Sequence, residues 1–420
     1  MISSPTDFVD MELGACLELV IDHRGKTPRK LKSDWVESGI PTISAKNVNA
    51  GKLVATDAIR YVTYDVYKKW MSVDVARGDC FLVSEGATLG HCMYWDEAYP
   101  IVLGQRIFCL RANPEVLYSR YLYAYMNTIA FQSEIVGRAT GSSVFGLRQT
   151  EVLKLNIKVP PMAVQKIIGD TLYNLNKKAE VNNQTNQTLE QMAQAIFKSW
   201  FVDFDPVKAK MNGEQPEGMD AATALLFPEK LVESELGLIP EGWSVGNLSD
   251  LIKFANGKSG KKSEGGSYPL YGANGIIGFS EESKFDDAVI IGRVGAYCGS
   301  IEYCNSEFWA SDNTIVANPK KGKAQLPFVL YLLKYLDLNQ HAGGAAQPLL
   351  NQKVLNSLEF PIPSDSVLEK FGTLISIMLK KTIAGNEENQ SLEGLRDTLL
   401  PKLLSGEIEL AQNDELTEVS

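Results

Sequence analysis

The chain has 420 residues, 45% of them hydrophobic and 22% charged, with a formal net charge of −10. That length and apolar content predict two or more globular units with cores of their own. No run of 18 apolar residues occurs, and the opening MISSPTDFVDMELG lacks a basic stretch followed by an apolar block, which argues against a membrane span or a secretory signal.

Six cysteines without a CxxC pair and three isolated histidines give no zinc-site spacing, so no metal and no cofactor are expected, and reduced thiols in a cytoplasmic protein are. The acidity is uneven. Residues 163–245 carry 7 Lys/Arg against 12 Asp/Glu and 364–420 carry 5 against 11, whereas 1–162 have 18 against 17 and 246–363 have 11 against 11. A near-neutral domain can still turn a basic face to phosphate, but net charge does not establish one.

In chain order, residues 1–160 read as a mixed α/β unit. VARGDCFLVS and YPIVLGQRIFCLR are β-rich runs punctuated by Gly and Asp, and SRYLYAYMNTIAFQSEIV spaces Tyr121, Leu122, Tyr125, Met126 and Ile129 for one buried helical face. Pro160 and Pro161 then open a stretch with apolar residues at Ile168, Leu172, Leu175 and Ala179, and again at Leu189, Ala193, Ile196 and Trp200. Steps of four, three and four describe a coiled-coil seam, with Asn182 and Asn186 at the seam positions between the two apolar blocks. A helix of that length spans roughly 55 Å, too long to bury inside one ordinary domain. After Pro206 comes an irregular connector rich in Pro, Gly and Glu, with a small helix at Ala221–Phe227.

Residues 236–363 repeat the plan of the first unit. LGACLELVIDHRGK (13–26) matches VGNLSDLIKFANGK (245–258), setting Gly14, Gly25 and Lys26 on Gly246, Gly257 and Lys258. IPTISAKN (40–47) matches YPLYGANG (268–275), FLVSEGATLG (81–90) matches IIGRVGAYCG (290–299), and GSSVFGLRQTEVLKL (141–155) lies over GAAQPLLNQKVLNSL (344–358). A shift of 203 residues then carries Gly169 onto Gly372, Lys177–Lys178 onto Lys380–Lys381 and Asn186 onto Asn389 in a second long helix, 366–404. The falling offset puts about thirty extra residues in the first half, mostly between Pro41 and Asp79. The chain is therefore a duplication, its two long helices each other's partners.

Motifs for chemistry are missing. Asn113-Pro114 and Asn318-Pro319 continue as Glu115 and Lys320, so neither is the Asn/Asp-Pro-Pro-aromatic grip of an amino-methyltransferase, and there is no G-x-x-x-x-G-K-[ST] for an ATP-driven motor. The run GRVGAYCG reads as a turn between strands rather than a phosphate cradle, and the serines lack a nucleophile elbow. No catalytic residue is expected.

Nucleic-acid contact fares better. DHRGKTPRKLK offers Arg24, Lys26, Arg29 and Lys30; SAKNVNAGK offers Lys46 and Asn47; the small-residue loop after it adds Arg138, Ser142 and Ser143. In the second half Lys258, Lys261, Lys262, Asn274, Arg293 and Gln347 occupy corresponding stretches. Arg and Lys pair with guanine edges or phosphates, Asn and Gln with adenine edges, and Gly permits close backbone approach. Singly, each residue reads better as a solvated loop side chain; the matched placement of the set in two repeats favours a binding surface. Asn182, Asn186 and Asn389 are expected to fix the register of the helix pair, although a frayed helix middle would show the same residues. Phe197, Trp200, Phe201 and Phe204 exceed what one seam needs, which points to a protein partner besides a capping core under Trp200.

FKSWFVDFDP (197–206) followed by IPEGW (239–243), with two diverged globular halves and two long helices, resembles the specificity subunits of type I restriction–modification enzymes. The resemblance covers nearly the whole chain and implies an α+β fold class: a tandem duplication of two mixed α/β target recognition domains separated by two long helices forming an antiparallel coiled-coil spacer. The segments are then 1–160 and 236–363 as recognition domains, 161–235 as central helix and connector, and 364–420 as the C-terminal helix and acidic tail.

It also implies a non-catalytic subunit that reads one half of a split double-stranded DNA target with each domain. Such a subunit recruits two adenine methyltransferase subunits and, in the full complex, motor–nuclease subunits. The C-terminal helix carries PKLLSGEIEL (401–410) where the central one has KSWFVDFDP, which leaves open whether both helix ends bind a partner alike. The other reading is a non-enzymatic scaffold whose paired domains bind protein or glycan.

Overall fold

The computed structural model describes residues 8–49, 51–141, 144–343 and 348–405. Packing divides the chain into two compact units, residues 1–181 with 388–420 and residues 182–387, so each unit holds one globular part and a stretch of both long helices.

In the first unit the strands Leu17–Ile21, Ile107–Ala112, Cys80–Val83 and Cys92–Tyr94 lie side by side in that order, all antiparallel. Side chains alternate faces along a strand, and here both faces are covered. Cys80 and Leu82 enter one core with Phe108 and Leu110, while Phe81 and Val83 enter another with Ile107 and Cys109. That is why CFLV and IFCL read as unbroken apolar runs. A second sheet, Arg60–Val62, Ile40–Ile43 and Val102–Leu103, contains one parallel pair, with Thr42 opposite Val102.

The second unit follows the same path in one six-stranded sheet, ordered Ile252–Asn256, Thr314–Pro319, Phe285–Gly292, Ile301–Ala310, Tyr268–Gly272 and Gly275–Ser280. Its parallel pair sets Leu270 opposite Trp309. Strand Ile40–Ile43 therefore corresponds to Tyr268–Gly272, as the sequence match predicts. The extra residues of the first unit also fall where expected: the hairpin Val48–Asn49/Lys52–Leu53 and the helix Tyr64–Trp70 lie between Pro41 and Asp79.

Two expectations about individual elements need correction. Gly14 does not correspond to Gly246, because the equivalent helices are Leu13–Cys16 and Leu248–Leu251, each anchored by one backbone bond: Leu13 N–H to Leu155 O (2.7 Å) and Leu248 N–H to Leu358 O (2.8 Å). And the run from Ser119 is two helices, Ser119–Met126 and Ile129–Arg138, since the Thr128 hydroxyl accepts from Phe131 N–H (3.2 Å) and caps a new start. Ile129 is consequently exposed rather than on the buried face.

The long helices run Met162–Phe201 and Asp365–Ser405, 40 and 41 residues. Within each unit their stretches are antiparallel. In the first, Lys178 pairs with Glu388 (3.2 Å), and Leu172 shares a core with Leu399 and Leu403. In the second, the Asn186 amide donates to Asn386 Oδ1 (2.8 Å), and Phe197 and Phe371 stand edge to face at 6.0 Å. Asn186 thus pairs with Asn386, and Gly385 makes the approach possible, since a Cβ there would lie 2.8 Å from Asn186 Oδ1. Asn182 and Asn389 are buried.

The echo of Gly169 in Gly372 has an atomic cause. Each glycine lets its long helix press on the start of a domain helix: a Cβ at Gly169 would meet Tyr121 N at 2.7 Å, and one at Gly372 would meet Ala324 O at 1.9 Å. Tyr121 and Ala324 are themselves separated by the 203-residue shift.

The four clustered aromatics do not form an outward docking face. Phe197, Trp200, Phe201 and Phe204 are 2%, 7%, 0% and 8% exposed. Phe201 packs edge-on against Phe328 (4.8 Å) and Phe371 (5.0 Å), Trp200 against Phe227 (5.1 Å), and Phe204 against Trp243 (5.8 Å). FKSWFVDFDP and IPEGW are thus two walls of one core. The connector between them holds the helix Asp205–Met211 and a hairpin, Leu231–Ser234 with Gly237–Pro240, beyond the small helix expected at Ala221.

Candidate nucleic-acid interface

The two units build one corner in the same way. In the first, the strand Cys80–Val83 ends in a turn at Ser84–Gly86, and the loop before Gly146 folds over it. Leu147 N–H donates to Ser84 O (2.7 Å) and Gly86 N–H to Phe145 O (3.0 Å), with bridges Glu85 to Gly146 and Thr140 to Gly146. In the second, Leu350 N–H donates to Arg293 O (2.9 Å) and Gly295 N–H to Pro348 O (3.2 Å), with bridges Val294 to Leu349 and Gly343 to Leu349. Gly86 and Gly295 adopt φ of +95° and +68°, a left-handed turn that glycine enters without strain. Ser84 and Arg293 are structural equivalents.

Large apolar side chains stand exposed at both corners: Val144 and Phe145 in one, Tyr297 and Leu349 in the other. Isolated exposed apolar residues are ordinary, and here they stand at the corner of both copies.

Several candidates of the first unit are engaged internally. Arg24 holds Asp22 through Nε (2.9 Å) and Nη2 (2.8 Å) and lies over the Phe108 ring at 4.0 Å. Lys26 Nζ donates to Trp70 O (2.6 Å), capping the helix Tyr64–Trp70, and Lys30 Nζ donates to Gly25 O (2.6 Å). Arg138 pairs with Glu134 (2.9 Å) and Glu151 (3.4 Å). Arg29 is exposed, as is Lys46, whose ammonium reaches Ala58 O (3.1 Å).

Asn47 is a correction. It is 0% exposed, its Oδ1 accepting from Ser44 N–H and Oγ and its amide donating to Val54 O and Ala55 O, so it locks a turn and offers a base nothing. Ser142, Ser143 and Gln347 lie outside the described residues.

In the second unit Lys258, Lys261, Lys262 and Asn274 are exposed. Lys262 lies along Gly278, where a Cβ would touch its methylenes at 3.4 Å, and Trp309 Nε1 donates to Lys258 O (2.8 Å), holding the NGKSGKK loop against the sheet. Lys284 joins them: desolvation first, and the charge of Lys258 second, push its ammonium pKa down. No local pattern in SEESKFDD singles it out. Sequence reading also misses Arg106, which sits in the turn facing Ser84 at φ +64° and pairs with Glu85 (3.0 Å). A non-glycine residue in that region is a strained position with no signature in the letters around it.

The six cysteines are buried and unpaired, burial pushing the Cys92 thiol up to about 12 and raising Cys80 and Cys109 well above the ordinary range. Among the described residues no cluster of three His, Cys, Asp or Glu could hold a metal, and no helix is long and apolar enough to cross a membrane.

The family model described as the type I restriction modification DNA specificity domain matches residues 5–191 and 240–393. Among similar proteins, the type I restriction enzyme HindI specificity subunit of Haemophilus influenzae is 26% identical over 73% of this chain and 81% of its own length. The MjaIX specificity subunit of Methanocaldococcus jannaschii is 24% identical over 92% of this chain and 91% of its own. The crystal structure of a type I restriction–modification S subunit from M. genitalium superposes with a TM-score of 0.66 at 17% identity, covering 98% of this chain and 99% of that one, which establishes a shared fold.

Proposed function

The chain belongs to the family of type I restriction–modification DNA specificity subunits, and on that premise we propose that it reads a two-part DNA target, one half-site for each of its two units. The repeated corner carries this reading: one scaffold, built with the same hydrogen bonds, exposes Arg106 in one copy and part of Arg293 in the other, while Ser84, the counterpart of Arg293, is buried. Identical frames with different side chains are what two different half-sequences require. The recognition domains are residues 1–160 and 236–363, and the paired helices set the gap between the half-sites.

The subunit itself performs no chemistry. It brings adenine methyltransferase subunits, two to a complex, and motor–nuclease subunits to the site, acting in the cytoplasm. Exposed lysines such as Lys258, Lys261 and Lys262 supply phosphate contacts, so binding weakens steeply with salt. The test is to express the chain with its adenine methyltransferase and sequence the methylated adenines. Two short sequences at a fixed gap support the reading; a single contiguous motif contradicts it.

A further inference from the structure

Arg293 is the one arginine between residues 182 and 387; every other cation of the second unit's sheet and loops is a lysine. It sits at the end of the strand Phe285–Gly292, its backbone fixed by Asn313 O accepting from its N–H (3.0 Å) and its own carbonyl accepting from Leu350 N–H (2.9 Å). Among the described residues its Nε, sealed from solvent, meets no hydrogen-bond acceptor and its guanidinium makes no ion pair.

The other half-buried arginines each hold an acid: Arg24 holds Asp22, Arg111 holds Asp79, Arg120 holds Asp170, Arg138 holds two glutamates and Arg396 holds Asp397. Half-burying a guanidinium costs free energy unless an acceptor meets it. Arginine differs from lysine in presenting a planar fork that matches two acceptors at once, and the edge of guanine, with O6 and N7, is such a pair. Tyr297 and Leu349, 55% and 41% exposed, flank the corner with apolar surface.

We propose that Arg293 reads a guanine through its major-groove edge and is the specificity-determining residue of the second half-site. The inference rests on the two-part DNA reading above. At the equivalent place the first unit has Ser84, too short to span two acceptors, so the first half-site is not read by a guanidinium from this position.

The experiment uses the full chain complexed with its adenine methyltransferase and a duplex carrying the methylated motif. Arg293→Lys keeps the charge and removes the fork. It is expected to lower discrimination at one G·C pair of one half-site by about 10- to 100-fold, leaving the other half-site, the gap and the salt dependence as they were. A measurement with the unaltered protein removes any dependence on folding of the variant: 7-deazaguanine at that guanine, which lacks N7, is expected to weaken binding at that one position.

Arg293→Lys with full discrimination, an equal loss on all sequences, a half-site without guanine, or indifference to 7-deazaguanine at every guanine overturns the assignment to Arg293. The absence of any two-part motif from the unaltered complex overturns the underlying reading instead.

Discussion

At the scale of single residues, one substitution made at two helical glycines separates packing from helix propensity. Gly137 lies in the helix Ile129–Arg138 with open space around it, so Gly137→Ala should stabilise by about 0.5–1 kcal/mol through propensity alone. Gly169→Ala gains the same propensity but drives a Cβ to 2.7 Å from Tyr121 N, a backbone atom that cannot yield, and overpacking of that kind costs about 1–3 kcal/mol. Opposite shifts in urea midpoint are the expected result; shifts of the same sign contradict the close crossing.

Phe201 tests the aromatic core. Truncating this fully buried ring to alanine should cost about 3–5 kcal/mol of stability in the second unit. Unchanged stability together with lost partner binding would restore the docking interpretation. The residue scale is also where the letters mislead most. Asn47 looks like a base-reading side chain in a loop because nothing nearby reveals that Val54 and Ala55 fold back to accept from it. Arg106 looks ordinary because its left-handed backbone is imposed by strands distant in sequence.

At the scale of elements, the seam was open to reading because it is a local property. Ile168, Leu172, Ala193 and Trp200 follow helical steps, and all four are buried. The steps alone do not say what a ring beyond the seam meets. Phe197 and Phe201 find Phe328, Phe371 and Trp243, contributed by segments some 40 to 170 residues away, so an excess of aromatics in one window resembled a surface patch.

The repeat, by contrast, is visible from weak matches in shared order. It slips in the stretch 13–26, where residue identity at Gly14, Gly25 and Lys26 stands in for hydrogen bonding and the elements correspond three residues further on. Helix length carries a functional prediction of its own. Adding one heptad to each long helix near Asn182 and Glu387 keeps the seam in step and lengthens the pair by about 10 Å, close to three base pairs at ~3.4 Å each. Methylation mapping should then show both half-sequences retained with a longer gap. Altered half-sequences at the original gap contradict a spacer role.

At the scale of the whole molecule, duplication makes the account modular. One frame appears twice, with bridges, turns and glycines in matching places, while the exposed side chains on it differ. A frame so over-determined by backbone bonds tolerates exchange of the side chains that face outward. What each set of side chains reads depends on loop geometry and DNA shape, which no single sequence encodes in its letters.

The most direct measurement is therefore the map of methylated adenines made by the chain with its methyltransferase, taken before and after residues 1–160 are replaced by the corresponding domain of a relative such as the HindI specificity subunit. The account predicts two short sequences at one fixed gap, of which the replacement changes one and leaves the other sequence untouched. Both sequences changing together, or a single uninterrupted motif in the unaltered protein, would contradict it.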